Sequence, residues 1–98
     1  MQRGEDVSKK EKLLNRIQRV PKDFTFSELE TLLKWLGFIK FDKGRTSGSR
    51  VIFVRKTVLG IDKLIVHKPH PQNIVKIYAI KQIIDKLIDF GDIVGEEK

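Results

Sequence analysis

Two histidines, His67 and His70, lie in one segment of the chain that also contains prolines. The unperturbed pKa of histidine, about 6.5, is close to neutrality, so an imidazole can serve as a general base or a general acid. Metal-free cleavage of an RNA phosphodiester needs both roles and positive charge on the phosphate. Arg50 can supply that charge through two parallel hydrogen bonds. Alternatively, each histidine is a turn residue whose ring bonds a nearby carbonyl.

A basic glycine-containing hairpin precedes Arg50. Between residues 40 and 56 six side chains are basic and only Asp42 is acidic. Clustered positive charge attracts polyanions by releasing counterions. We assign RNA contacts to Lys43, Gly44, Arg45, Gly48, Ser49 and Arg55. A solvated basic surface and a plain flexible turn are the alternatives.

Composition restricts the kinds of site and of compartment. The chain has 98 residues, a formal net charge of +7 and no cysteine. This length predicts one domain, and the lack of cysteine excludes disulfides and thiolate metal sites. Two histidines without a nearby carboxylate or thiol seldom hold a metal, so no metal or other cofactor is expected. No apolar run approaches the roughly 20 residues that span a bilayer, and a soluble cytoplasmic protein is predicted.

Three helices are predicted from apolar spacing. Residues 9–20 form a short amphipathic helix that ends before Pro21. Thr25 and Glu28 form a capping box at the start of the second helix, and Gly37 closes it. The third helix covers residues 78–90 and ends at Gly91. Residues 1–8 are predicted to be a disordered tail, and residues 92–98 an acidic tail.

Three strands are predicted between the second and third helices. They cover residues 38–42, 50–55 and 63–67, with turns at 43–49 and 60–62. Short connections favour an antiparallel sheet, in which the third strand ends next to Arg50. The histidines and Arg50 are thereby brought to one place.

Alternation along the strands predicts two apolar faces. Val51 and Phe53 share the face that helices should cover, while Ile52 and Val54 share the opposite face with Arg50. An uncovered sheet face normally is polar. The first helix, a second copy in a homodimer or a protein partner is therefore expected to cover it.

The region 22–90 resembles the HicA family of bacterial toxins. The matching motifs are, in order, Glu28-Leu29, Leu32-Leu33, Leu36-Gly37-Phe38, the Gly44 turn with Gly48-Ser49, the segment from Val66 to Pro71, and the isoleucine-rich last helix. The resemblance divides the chain into tail 1–8, a single HicA-like domain at 9–91 whose helix 9–20 is an addition, and tail 92–98.

The resemblance implies an α+β fold similar to the double-stranded-RNA-binding domain, α-β-β-β-α, here with an extra N-terminal helix and with helices on one sheet face. It further implies an endoribonuclease that cleaves mRNA, and a HicB antitoxin that masks the active surface. The family usually has histidine directly after Gly-Ser, where this chain has Arg50. Arginine cannot act as a general base because it stays protonated. His70 best matches the family's other histidine, so catalysis is assigned to His70, His67 and Arg50.

Two other functions fit the same residues. The fold can bind RNA without cleaving it, since Arg50 replaces the expected histidine. It can also be a protein-interaction domain that uses the open sheet face, with its charge serving only solubility.

Overall fold

The computed structural model describes residues 5–41, 50–69 and 73–94. The order of elements is α1 (Glu5–Gln18), α2 (Phe26–Trp35), β1 (Ile39–Phe41), β2 (Arg50–Thr57), β3 (Gly60–His67) and α3 (Ile77–Phe90). This α+β arrangement, with its three-stranded antiparallel sheet in the order β1-β2-β3, confirms the fold class that the sequence predicted.

Local signals explain the ends of α2 and α3. The Thr25 hydroxyl accepts a hydrogen bond from the Glu28 amide and the Glu28 carboxylate accepts one from the Thr25 amide, so the predicted capping box is confirmed. Gly37 has φ +100° and Gly91 has φ +95°, the left-handed conformation that closes a helix. After Gly37 the Phe38 amide donates a hydrogen bond to the carbonyl of Leu33. After Gly91 the Asp92 amide donates one to the carbonyl of Leu87.

The hairpin between β2 and β3 differs from the sequence prediction. Residues 60–62 were predicted as a turn, but Gly60 already pairs with Thr57, and the turn consists of Val58 and Leu59. The Thr57 hydroxyl accepts a hydrogen bond from the Leu59 amide and stabilises this turn. β2 and β3 are therefore longer than predicted, and they pair over their whole length.

One face of the sheet carries the core. Phe53, Leu64 and Val66 point towards the helices and are buried. α1 also joins this core through Ile17, and it packs against α2 and α3. It begins at Glu5, inside the stretch for which the sequence predicts a tail. Since α1 packs with the other helices, it does not cover the opposite sheet face, which was one of the predicted possibilities.

The chain after β3 returns to the start of α2. The Phe26 amide donates to the carbonyl of Asn73, and the Val75 amide donates to the carbonyl of Phe24. Thr25 and Ile74 form an isolated antiparallel bridge between these segments. This contact fixes the direction in which the chain enters α3.

Candidate active site at the end of the sheet

Three of the predicted site residues lie within the described part of the chain: Arg50, His67 and Arg55. The other six, which are Lys43, Gly44, Arg45, Gly48, Ser49 and His70, lie outside the described residues. Ser49 directly precedes Arg50 along the chain, and His70 directly follows Pro69.

Arg50 and His67 lie directly opposite each other. They are Cα partners at the open end of the β2–β3 ladder, and both are exposed. Opposite residues of an antiparallel pair point to the same face, with Cβ atoms about 4.5–5.5 Å apart. A cationic guanidinium and an imidazole thus share one small area of the surface.

That area belongs to what we call the open sheet face. It consists of the side chains that point away from the helices: Ile39, Phe41, Arg50, Ile52, Val54, Lys56, Ile61, Lys63, Ile65 and His67. Its centre is apolar, and Ile65 remains 49% exposed. Its basic side chains lie towards the two ends of the ladder and on β3. The face therefore offers apolar contact area beside positive charge.

Arg55 is placed quite differently. It is on the opposite sheet face from Arg50, and its side chain is only 14% exposed. Its guanidinium donates to both carboxylate oxygens of Asp92 at 3.0 and 2.8 Å, to Asp62 at 2.7 and 3.1 Å, and to the carbonyl of Leu36 at 2.8 Å.

Aromatic rings complete the surroundings of Arg55. The guanidinium carbon lies 4.3 Å from the centroid of the Phe38 ring and 5.8 Å from that of Phe90. Hydrogen bonds with Asp92 raise the pKa of Arg55, burial opposes them, and the bonds with Asp62 raise it further. With its donors engaged inside the fold, Arg55 is a structural residue, and the sequence prediction of an RNA contact receives no support from its position.

Sequence reasoning missed the role of Asp92. The segment 92–98 was expected to be an acidic tail, yet the side chain of Asp92 is mostly buried against Arg55 and Ile93 belongs to the core. Two signals could have identified this contact. By alternation along the strand, Arg55 points to the same helix-covered face as Val51 and Phe53, where a buried cation needs a counter-ion. The second signal is the apolar residue that directly follows Asp92.

A second ion-pair network joins α1 to α2. Arg16 donates to Glu28 at 3.1 Å and to Asp23 at 3.3 Å, and its guanidinium lies over the ring of Phe24. Burial alone would raise the pKa of Glu28, but the hydrogen bonds from the Thr25 amide and from Arg16 outweigh it, and the pKa is lowered. This network attaches α1 to the capping box of α2.

Over residues 5–41, 50–69 and 73–94 no group of three or more histidine and acidic side chains is placed to hold a metal ion. No helix in the same ranges is long and apolar enough to cross a membrane. An imidazole has the chemistry for general acid–base catalysis and a guanidinium has the charge to stabilise a phosphate, and His67 and Arg50 bring these two groups to the end of the sheet.

Comparison with known proteins gives one family match. The family model described as "HicA toxin of bacterial toxin-antitoxin" matches residues 26–88. Neither the curated proteins nor the solved structures contain a significant match. The matched region starts with the first residue of α2, includes the whole sheet and ends inside α3, so α1 lies outside it.

Proposed function

The chain belongs to the HicA family of bacterial toxins, and from this premise we propose that it binds mRNA and cleaves it without a metal ion. The observation that carries the proposal is the pairing of Arg50 with His67 at the end of the sheet. The two side chains have the chemistry that proton transfer and phosphate binding require, and they belong to strands that meet at this point.

The proposed reaction is an attack by an RNA 2′-hydroxyl on the adjacent phosphate. One histidine takes the 2′-hydroxyl proton, and the other donates a proton to the leaving 5′-oxygen. His67 and His70 share these two roles. Arg50 binds the phosphate and offsets the negative charge that develops in the transition state.

Phosphate binding extends to the neighbouring basic segment in this proposal. Lys43 and Arg45 supply charge, while Gly44, Gly48 and Ser49 offer backbone amides and a hydroxyl. Arg55 has no part, because its guanidinium bonds Asp62, Asp92 and Leu36. Since mRNA is the substrate, the protein acts in the cytoplasm.

Arg50 also supports a second function. The family usually has a histidine at this position, and an arginine cannot replace it as a general base. The same surface would then bind RNA and leave it intact. Under both functions we propose a HicB-like antitoxin as the protein partner, and expect it to cover the end of the sheet at which Arg50 and His67 lie.

The test incubates the purified protein with an end-labelled mRNA fragment in EDTA. His67→Ala is expected to slow cleavage by about 10²–10⁴-fold, and Arg50→Ala to weaken both cleavage and RNA binding. Arg50→His restores the residue usual in the family and is expected to increase the rate. Lys81→Ala, on the exposed side of α3, is the control and leaves the rate unchanged.

The outcomes separate the functions. RNA that is bound but stays intact with the wild type, and is cut by Arg50→His, establishes the binding module. Cleavage that persists after His67→Ala and also in a double variant with His70→Ala removes the histidines from the mechanism. Failure of the wild type to bind RNA refutes both functions and leaves the protein-interaction domain.

A further inference from the structure

A groove of about 870 Å³ runs between β3 and α3. β3 is the last strand of the order β1-β2-β3, so one of its long edges has no neighbouring strand within the described residues. α3 lies beside that edge and forms the other wall. An open strand edge next to a helix is the geometry in which peptides bind by adding a strand to a sheet.

The register shows which backbone groups of β3 face the groove. Thr57 and Gly60 flank a two-residue turn and are partners in the ladder, so they form a hydrogen-bonded pair. Such pairs alternate along an antiparallel ladder, which makes Leu64 and Val66 bond to β2. The amides and carbonyls of Lys63, Ile65 and His67 therefore point outwards, towards a strand that would lie in the groove.

The side chains of the groove favour an amphipathic occupant. Its floor is apolar and includes Leu64, Val66 and Ile83, all of which are buried. Its rim carries two carboxylates, those of Asp85 and Asp89, and a larger number of lysines. The lysines are Lys63, Lys68, Lys76 and Lys86. A strand with apolar side chains towards the floor and acidic side chains at the rim matches this distribution.

Two other occupants match the apolar floor and the basic rim of the groove less well. A second copy of this chain pairing through β3 would bring the two sets of rim lysines together, and like charges across an interface cost affinity. An RNA backbone would place phosphates beside Asp85 and Asp89 and would leave the outward amides and carbonyls of β3 largely unpaired. A polypeptide strand pairs those groups directly and can place a basic residue next to either aspartate.

We propose that the groove between β3 and α3 binds an extended acidic segment of a partner protein, which joins the sheet as a fourth strand beside β3. The proposal rests on the β3 edge and the charge of the rim. It does not depend on RNA cleavage by this chain.

The test selects binders for the full-length protein from a phage-displayed library of random peptides. In the selected peptides we expect acidic residues to alternate with β-branched or aromatic residues. When such a peptide is added, the amides of Lys63, Ile65 and His67 are expected to gain protection from hydrogen exchange, as measured by NMR. Peptides without acidic residues, or protection confined to other elements, overturn the proposal.

A matched pair of variants isolates the backbone. Ile65→Pro removes one outward amide, whereas Ile65→Ala removes the side chain and keeps that amide. Because the lost amide is outside the β2–β3 ladder, the proline is compatible with the fold, which circular dichroism checks. Ile65→Pro is expected to bind the selected peptide about fivefold or more weakly than Ile65→Ala. Equal affinities overturn the strand-addition geometry.

A second pair isolates the charge and remains informative if Ile65→Pro does not fold. Lys86→Glu reverses a rim charge, and Lys81→Glu makes the same change on α3 outside the groove. We expect Lys86→Glu to weaken peptide binding about three- to tenfold and Lys81→Glu to have no effect. If Lys86→Glu instead weakens only binding of a labelled single-stranded RNA, or if sedimentation shows a dimer that the change disrupts, the peptide proposal is wrong.

Discussion

The guanidinium of Arg55 joins three parts of the chain that are distant in sequence. It binds Asp92, which is 37 residues away, together with Asp62 on the neighbouring strand and the last turn of α2 through Leu36. The two carboxylates are mostly buried, and in the part of the chain that the structure describes Arg55 is the cation that pairs with both. Its loss would leave them uncompensated.

We therefore predict that Arg55→Met lowers the free energy of unfolding by about 2–4 kcal/mol, since breaking a buried pair by removing one partner is strongly destabilising. Urea unfolding followed by circular dichroism measures the change. Arg50→Met is the control on the same strand, where the side chain is exposed, and it is expected to change stability by less than about 0.5 kcal/mol. Equal midpoints for the two variants would contradict the role of Arg55.

Glu28 provides a prediction for the dependence of stability on pH. Its pKa in the folded protein is below the ordinary value of 4.5, so its carboxylate stabilises the fold above that value. This contribution is lost as the pH falls through the lowered pKa. The difference in unfolding free energy between the wild type and Glu28→Gln should thus be largest above about pH 5 and disappear near about pH 2.

The same measurement in an Arg16→Met background tests the cause. Arg16 is one of the groups that lower the pKa of Glu28. Without Arg16, the difference in unfolding free energy between the protein with Glu28 and its Glu28→Gln variant should be smaller. It should also disappear at a higher pH than it does in the presence of Arg16. An unchanged pH profile would show that Arg16 does not contribute to lowering the pKa of Glu28.

Alternation along β2 placed Arg50 on the open sheet face from the sequence alone, whereas Arg55 was predicted to contact RNA. It did not show that Arg55 is engaged inside the fold, because its partner Asp92 comes from a segment that the composition describes only as acidic. A local pattern contains no information on a contact across 37 residues. Arg50 could be assigned correctly to the open face because that depends on its own strand alone.

At the scale of the elements, two glycines end helices in the same conformation but in different surroundings. A Cβ on Gly37 would lie 3.3 Å from Cδ of Arg55, whereas a Cβ on Gly91 would meet no atom within 4 Å. Both substitutions would force a side chain into the left-handed region, which costs roughly 1–2 kcal/mol. Only the change at Gly37 would also displace a side chain that is held by ion pairs.

We predict that Gly37→Ala is more destabilising than Gly91→Ala, by about 1 kcal/mol. A double-mutant cycle with Arg55→Ala measures the coupling, which should be larger for Gly37, whose added Cβ would approach the Arg55 side chain, than for Gly91. If both glycine variants are equally unstable, the stem of Arg55 is free to move and the close approach has no energetic consequence.

The element boundaries show where sequence patterns lose precision. Gly60 was a reasonable marker for a turn, yet the buried pair Phe53 and Leu64 fixes the register and brings Gly60 into the ladder. The turn is thereby left to two apolar residues, Val58 and Leu59, which local propensity would not choose. By contrast, the start of α2 was predicted correctly because a capping box depends only on neighbouring residues.

The whole molecule carries its excess of positive charge into any encounter with RNA. With a formal net charge of +7, RNA affinity should fall steeply as salt increases. We predict that the logarithm of the binding constant for a single-stranded RNA falls linearly with the logarithm of salt concentration, and that Arg50→Ala makes the slope shallower by about 0.7. Fluorescence anisotropy over a salt series measures the slope.

Lys81→Ala serves as the control because it removes the same unit of charge from α3, away from the end of the sheet. Its slope should equal that of the wild type. If both variants change the slope by the same amount, RNA responds to net charge alone, and the end of the sheet is no specific phosphate site.

The ion pairs that Arg55 forms with Asp62 and Asp92 also have a consequence for the evolution of this protein. Loss of Arg55 alone leaves two mostly buried carboxylates without this counter-ion, whereas loss of Asp62 or Asp92 alone leaves Arg55 paired with the other aspartate. Among descendants of a common ancestor we expect replacement of Arg55 to be accompanied by replacement of both aspartates, whereas a single aspartate can be replaced while Arg55 is kept. Within residues 5–41, 50–69 and 73–94 no ion pair joins Arg50 to another side chain, so its replacement is constrained by its proposed role in RNA binding and not by a buried partner.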